Sequence, residues 1–124
     1  MKLLFVYNAK AGVRAGLVDM LHKAVSPSTY PCALCAITYG PLGMDRRWRD
    51  YVKRLPFEAE FLHREELQAR YPQARPPLPV ILADDDGHLE TLVSATDLRA
   101  LADLDELAHL LNARLARRGR AAPA

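Results

Sequence analysis

Leu3-Leu4-Phe5-Val6-Tyr7 is a nearly continuous apolar run of β-forming residues, the pattern of a strand buried on both faces beside parallel neighbours. The period then changes. Leu17, Met20, Leu21, Ala24 and Val25 recur at helical spacing, and Ser26-Pro27 closes that helix, because a residue before proline is pushed out of the α region. A second helical stripe, Trp48, Tyr51, Val52 and Leu55, follows Asp45, a suitable N-cap, and stops at Pro56. Phe57, Ala59 and Phe61 alternate with Glu58, Glu60 and Leu62, the two-residue period of a strand that ends at His63. Glu65 and Glu66 suit the first turn of a short helix with Leu67 and Tyr71 inward, and Pro72 ends it.

Four prolines between positions 72 and 79 exclude a helix or central strand and predict an ordered, extended loop. Residues 80–83, Val-Ile-Leu-Ala, read as a buried strand, Asp84-Asp-Asp-Gly87 as a hairpin turn, and residues 88–93 as the antiparallel return. Three adjacent aspartates also suit a divalent cation, but Asp-Gly between two apolar runs is the stronger signal. Ser94 or Thr96 caps a short helix through Leu101. Asp103, with Glu106 three residues on, opens the last helix, whose stripe is Leu104, Leu107, Ala108, Leu111 and Leu115. Arg114, Arg117, Arg118 and Arg120 complement the dipole at its end. Strands alternating with helices predict an α/β fold in a single domain over residues 1–124.

A chain of 124 residues has room for one continuous core, and half of its residues are hydrophobic. A net charge of +2 is too small to argue for nucleic acid or an anionic membrane, so neither partner is expected. The first apolar run is followed by polar Asn8 and Lys10, which suits a strand rather than a signal peptide, and no run approaches the roughly eighteen apolar residues that cross a bilayer. A reducing cytoplasm is the expected location, where a close cysteine pair is more often catalytic, sensing or metal-binding than a staple.

Both cysteines stand in residues 26–40, Ser-Pro-Ser-Thr-Tyr-Pro-Cys-Ala-Leu-Cys-Ala-Ile-Thr-Tyr-Gly. With Pro31 at the first position of a helical turn, Cys32 falls among that turn's unpaired amides, which favour a thiolate. Cys35 comes round to the same face, where it could resolve a mixed disulfide on Cys32 or share a soft metal with it. His22 and His63 are the candidate further ligands, although no zinc-finger spacing is present. The simplest alternative is two small buried hydrophobes. Gly12 and Gly16 invite comparison with a phosphate loop, but Leu17-Val18 stands where Gly-Lys-Ser/Thr is needed, so no nucleotide or other cofactor is expected. The arginines and lysine around residues 46–54 suit a solvated helix face. An exposed Trp48/Tyr51 face would instead mark a partner-binding domain.

From Phe57 onward the order is strand, short helix, Pro79 immediately before a strand, hairpin, strand, C-terminal helix, which resembles the latter part of the thioredoxin superfamily. That resemblance implies a thioredoxin-like three-layer sandwich, a mixed four-stranded sheet with helices on both faces, in which Pro79 is cis, faces the redox cysteines and shapes the thiol pocket. In thioredoxins the Cys-x-x-Cys follows the first strand directly. Here it comes after a complete helix, which implies an extra helical insertion carrying Cys32 and Cys35. The whole chain also resembles a family of small bacterial proteins with Val-Tyr-Asn-Ala near the start and Ser-Pro-Ser-Thr-Tyr-x-Cys-x-Leu-Cys-x-Ile/Leu-Thr in the first third. Here these are residues 6–9, Ser26 to Tyr30, Cys32, Leu34, Cys35, Ile37 and Thr38. This second resemblance implies no established activity. The placement of the cysteine pair at a helix start, with the thioredoxin-like resemblance, points to thiol–disulfide redox or thiol sensing, with Cys32 as nucleophile, Cys35 as resolving thiol and a redox or protein partner.

Overall fold

The computed structural model describes residues 1–8, 33–40 and 43–121. The helix expected over residues 17–25, His22, the stretch from Ser26 to Tyr30 and Cys32 lie outside them. In chain order the elements are β1 (Lys2–Val6), α1 (Ala33–Thr38), β2 (Tyr39–Gly40), β3 (Gly43–Met44), α2 (Arg46–Arg54), β4 (Glu58–Leu62), α3 (Arg64–Arg70), β5 (Val80–Asp85), β6 (His88–Val93), α4 (Ala95–Arg99) and α5 (Leu104–Ala121).

The apolar run at the start becomes the inner strand of a four-stranded mixed sheet in the order β4-β1-β5-β6. β1 pairs parallel with β4, from Lys2 opposite Glu58 to Val6 opposite Leu62. On its other side it pairs antiparallel with β5, from Lys2 opposite Asp84 to Val6 opposite Val80. Because neighbours flank it on both sides, Leu3, Leu4, Phe5 and Val6 are all fully buried. Leu3, Phe5, Tyr7, Ile81 and Ala83 face one way, against Leu34 of α1, Trp48 and Val52 of α2, Leu98 of α4, and Leu104, Leu107 and Leu111 of α5. Leu4, Val6, Leu62, Val80 and Leu82 face the other way, with Leu67 of α3, Tyr71, Leu78 and Leu89. The α/β class agrees with the sequence pattern, and the mixed four-stranded sheet with what the resemblance implied.

Local chemistry sets the element ends. Asp45 accepts from the Arg47 amide at 2.8 Å and opens α2, and Leu55 before Pro56 closes it. Ser94 and Asp97 exchange bonds in a capping box at the start of α4, which ends at Arg99 rather than Leu101. Asp103 caps α5 by accepting from the Glu106 amide, but Glu106 reaches back to the Ala102 amide. The hairpin turn is tighter than expected, because β5 continues through Asp84 and Asp85, paired with Leu89 and His88, and only Asp86 and Gly87 lie between the strands. Asp86 and Gly87 both have positive φ, 54° and 89°, as a two-residue hairpin requires, and Asp84 Oδ1 accepts from the Gly87 amide at 2.7 Å. On β6 a bulge interrupts the ladder, Thr91 facing Leu82 and Val93 facing Ile81, so the consecutive Leu92 and Val93 both join the same buried cluster.

Two expectations are corrected. Trp48 is fully buried and Tyr51 bonds to α5, Oη to Asn112 Oδ1 at 2.6 Å, so this pair offers no exposed partner face. Arg114 and Arg118 do not serve the helix dipole alone. Arg114 donates to Leu92 O and Asp97, and Arg118 to Glu90, tying α5 to β6 and α4. Among the described residues, no helix is long and apolar enough to cross a membrane.

Candidate functional site

α1 carries the one cysteine within the described residues. Its six-residue sequence, Ala-Leu-Cys-Ala-Ile-Thr, splits into two faces: Leu34, Cys35 and Thr38 are buried, whereas Ala33, Ala36 and Ile37 are only partly covered. Cys35 is 8% exposed and packs in the cluster that contains Tyr7, Phe5 and Trp48. The sequence placed both sulfurs near solvent, and for Cys35 that expectation is corrected. Nor is it an inert buried thiol, because its sulfur is disulfide-bonded.

The C-terminus of α1 is fastened at three points. Thr38 Oγ1 donates to Leu34 O at 2.7 Å, the Asp45 amide donates to Thr38 O at 2.7 Å, and Tyr39 pairs with Met44 across the β2–β3 hairpin. Tyr39 then meets Tyr7 ring edge to face, with centroids 5.4 Å apart. From Tyr7 the rings continue across the sheet face. Tyr7 stacks with Phe61 at 6.2 Å, Phe61 with Phe5 at 5.1 Å, and Phe5 meets Trp48 edge-on at 5.5 Å. Sequence reading missed this row, whose only trace was an aromatic residue in each contributing element.

Tyr7 sits where the row reaches α1. It is 3% exposed, and neither its Oη nor Trp48 Nε1 closes a hydrogen bond, although both atoms are buried. Burial drives the Tyr7 phenol far above its ordinary pKa, while the approach of Thr38 partly opposes the rise. Burial likewise raises Tyr39. Both phenols therefore stay neutral at physiological pH and can donate a proton in a hydrogen bond. A buried donor whose bond stays open costs roughly 1–3 kcal/mol, and the polar groups nearest the Tyr7 hydroxyl are those of Thr38, Tyr39 and Trp48.

Sheet register brings further candidates to the same end. The Tyr7 amide donates to Leu62 O at 2.9 Å, which sets the residues after β1 beside His63. Val80 lies opposite Val6, so Pro79, buried and joined to Leu78 by the cis peptide that the thioredoxin-like resemblance implied, also borders that end. α4 leaves from the end of β6 there and packs against α1. Cys35, Tyr7, His63 and Pro79 are therefore carried by elements that converge on one end of the sheet.

His63 Nδ1 lies 2.6 Å from Glu66 Oε1, which also accepts from the His63 amide at 3.1 Å. Those bonds hold the Glu66 carboxyl below its ordinary pKa. The pair is a helix-start clasp, and among the described residues no group of three His, Cys, Asp or Glu side chains could hold a metal. Asp84 likewise takes part in the turn and accepts from Tyr71 Oη.

Along the open flank of α1 runs a groove of roughly 630 Å3, in the size range of small-ligand sites. Ala33, Ala36 and Ile37 form one wall, and Leu98 and Leu101 the other. Arg47 and Arg99 stand on its rim. No family model, no curated protein and no solved structure matches the chain.

Proposed function

We propose that the protein is a thioredoxin-like thiol–disulfide redox or thiol-sensing protein in which Cys32 and Cys35 form a reversible disulfide. The disulfide-bonded state of Cys35 carries the reading, since Cys32 is the only other cysteine in the chain. Cys35 is too buried to meet a partner first, which leaves Cys32 as the nucleophile. Its thiolate attacks one sulfur of a partner disulfide; that S–S bond breaks and the second partner sulfur leaves as a thiolate. Cys35, deprotonated, then attacks Cys32 in the mixed disulfide and releases the first partner sulfur. Two electrons pass from the protein to the partner, and the Cys32–Cys35 bond closes.

Several features support this assignment. The element order after Phe57, the mixed sheet and the cis peptide before β5 fit the thioredoxin-like resemblance, and Pro79 borders the sheet end on which α1 sits. The groove beside α1, lined by Ala33, Ala36 and Ile37 together with the charged Arg47, Arg99 and Asp103, offers a partner a mixed apolar and polar surface that starts at the residue after Cys32 in sequence. The reading assigns the protein to a reducing cytoplasm, where such a bond forms and reopens during function.

Thiol counting in glutathione buffers of graded potential tests the proposal. Both thiols should appear together as the poise is lowered, with a midpoint above about −300 mV. Cys35→Ala should trap a mixed disulfide on Cys32, while Cys32→Ala should abolish exchange. A bond that stays fully oxidised below that poise is a structural staple and ends the redox reading. Stoichiometric metal retained by the reduced protein would replace it with a metal-binding one.

A further inference from the structure

On the opposite face of the sheet, a cleft of about 220 Å3 separates α3 from the proline-rich stretch before β5. Leu67, Leu78 and Pro76 form its apolar part, and the polar groups that line it are Arg64, Gln68 and Arg75. Among the described residues, no carboxylate lines it and neither arginine side chain makes a hydrogen bond or ion pair, a contrast with Arg70 of the same helix, which is paired with Glu60 and lies over the Tyr71 ring. The nearby acids are already committed. Glu66 holds His63, Glu60 holds Lys2 and Arg70, and Asp84 holds Tyr71 and the turn.

The two exposed arginines rise from well-fastened stretches of backbone. Arg64 and Gln68 are one turn apart on α3, whose buried Leu67 fastens it to the sheet. Arg75 follows the turn closed by the Ala74 amide on Tyr71 O at 2.9 Å, and Pro76 and Pro77 restrict the backbone just beyond it. Tyr71 in turn donates from its amide to Leu67 O and from its hydroxyl to Asp84. Holding two like charges over one cleft with no counter-charge raises the energy of the empty cleft, and an anion placed between them removes that repulsion.

From this geometry we infer that the cleft binds a phosphate monoester with a small apolar body. Two guanidinium forks from separate elements match a doubly charged, three-oxygen group better than a singly charged carboxylate. The Gln68 amide supplies a further donor, and Leu67, Pro76 and Leu78 give the apolar portion of the ligand a surface to cover. The site stands apart from Cys35 on the other side of the sheet, so it does not depend on the redox assignment.

Phenyl phosphate titrated into the full-length protein, followed by amide chemical shifts, tests the inference. Shifts should cluster at Gln68, Ala74 and Arg75, and Arg64→Gln or Arg75→Gln should each weaken binding about tenfold or more. Arg46→Gln, which removes the same charge from an exposed position on α2, should leave affinity unchanged. Inorganic phosphate should bind at the same residues but more weakly, and benzoate more weakly than phenyl phosphate. The inference is overturned by no saturable shifts up to about 10 mM phenyl phosphate, by equal loss in all three variants, or by phenol binding as well as its phosphate.

Discussion

The two faces of the sheet treat their polar groups in opposite ways. On the α3 face, Lys2, Glu60, Arg70, Tyr71 and Asp84 stand at the rim and are joined by hydrogen bonds and ion pairs. On the α1 face, Tyr7 Oη and Trp48 Nε1 lie inside the core with no bond closed, in the cluster that contains a disulfide-bonded cysteine. Pairing at a rim costs the fold little and contributes little, whereas an unpaired donor in a core is a standing cost. The contrast is thus between polar groups paired at a rim and polar groups enclosed in a core.

Trp48 gives the largest expected effect. It is fully buried between Phe5 and Tyr51, so Trp48→Ala should cost about 3–5 kcal/mol in urea unfolding. Trp48→Phe sharpens the comparison, because it keeps most of the ring contact and removes the unpaired N–H. It should lose well under half as much. Equal losses in the two variants would mean that the indole N–H is paired in solution.

Next in size is the same chemical change made on each face. Tyr71→Phe deletes the hydroxyl that donates to Asp84 and should cost about 1–2 kcal/mol. Tyr7→Phe deletes a hydroxyl with no partner and should leave stability unchanged or raise it by up to about 1 kcal/mol. If the proposed thiol chemistry uses Tyr7, exchange slows in Tyr7→Phe while the unfolding midpoint holds. A stability loss in Tyr7→Phe as large as that in Tyr71→Phe would erase the difference between the faces.

What could be read from the sequence follows the range of the forces involved. The β5–β6 hairpin was legible because Asp-Gly sets its own backbone and stands between two short apolar runs. α2 was legible because Asp45 and Pro56 mark its ends locally. The β2–β3 ladder, only two residues per strand, is too short to show a period. The stripe of Trp48 and Tyr51 was visible, but whether it faced solvent or core is decided by Phe5 and Asn112, distant in sequence. The anchoring of Arg114 and Arg118 spans 17 to 28 residues and leaves no local mark. For the candidate site, the spacing of Cys32 and Cys35 drew attention to α1 and the resemblance to Pro79. The burial of Cys35 and the aromatic row beside it arise only when β1, β4, α1 and α2 meet.

Asp97 carries the smallest expected effect, and it tests whether rim pairing on the α1 face is as weak as on the other. Its carboxylate accepts from the Ser94 amide at the start of α4 and from Arg114 of α5, and the first of these contributes most to holding its pKa below the ordinary aspartate value. The ionised form is therefore favoured in the folded state, so its contribution is complete above the unfolded value near about 3.9 and is lost as pH falls through the lower folded value. Side chains about a third exposed limit the Arg114 pair to about 1 kcal/mol or less. The stability gap between the native chain and Asp97→Asn should thus stay level from neutral pH down to mildly acidic pH, then narrow below about pH 4. A gap that widens on acidification would mean that the folded protein favours the protonated acid, the reverse of what the Ser94 and Arg114 bonds require.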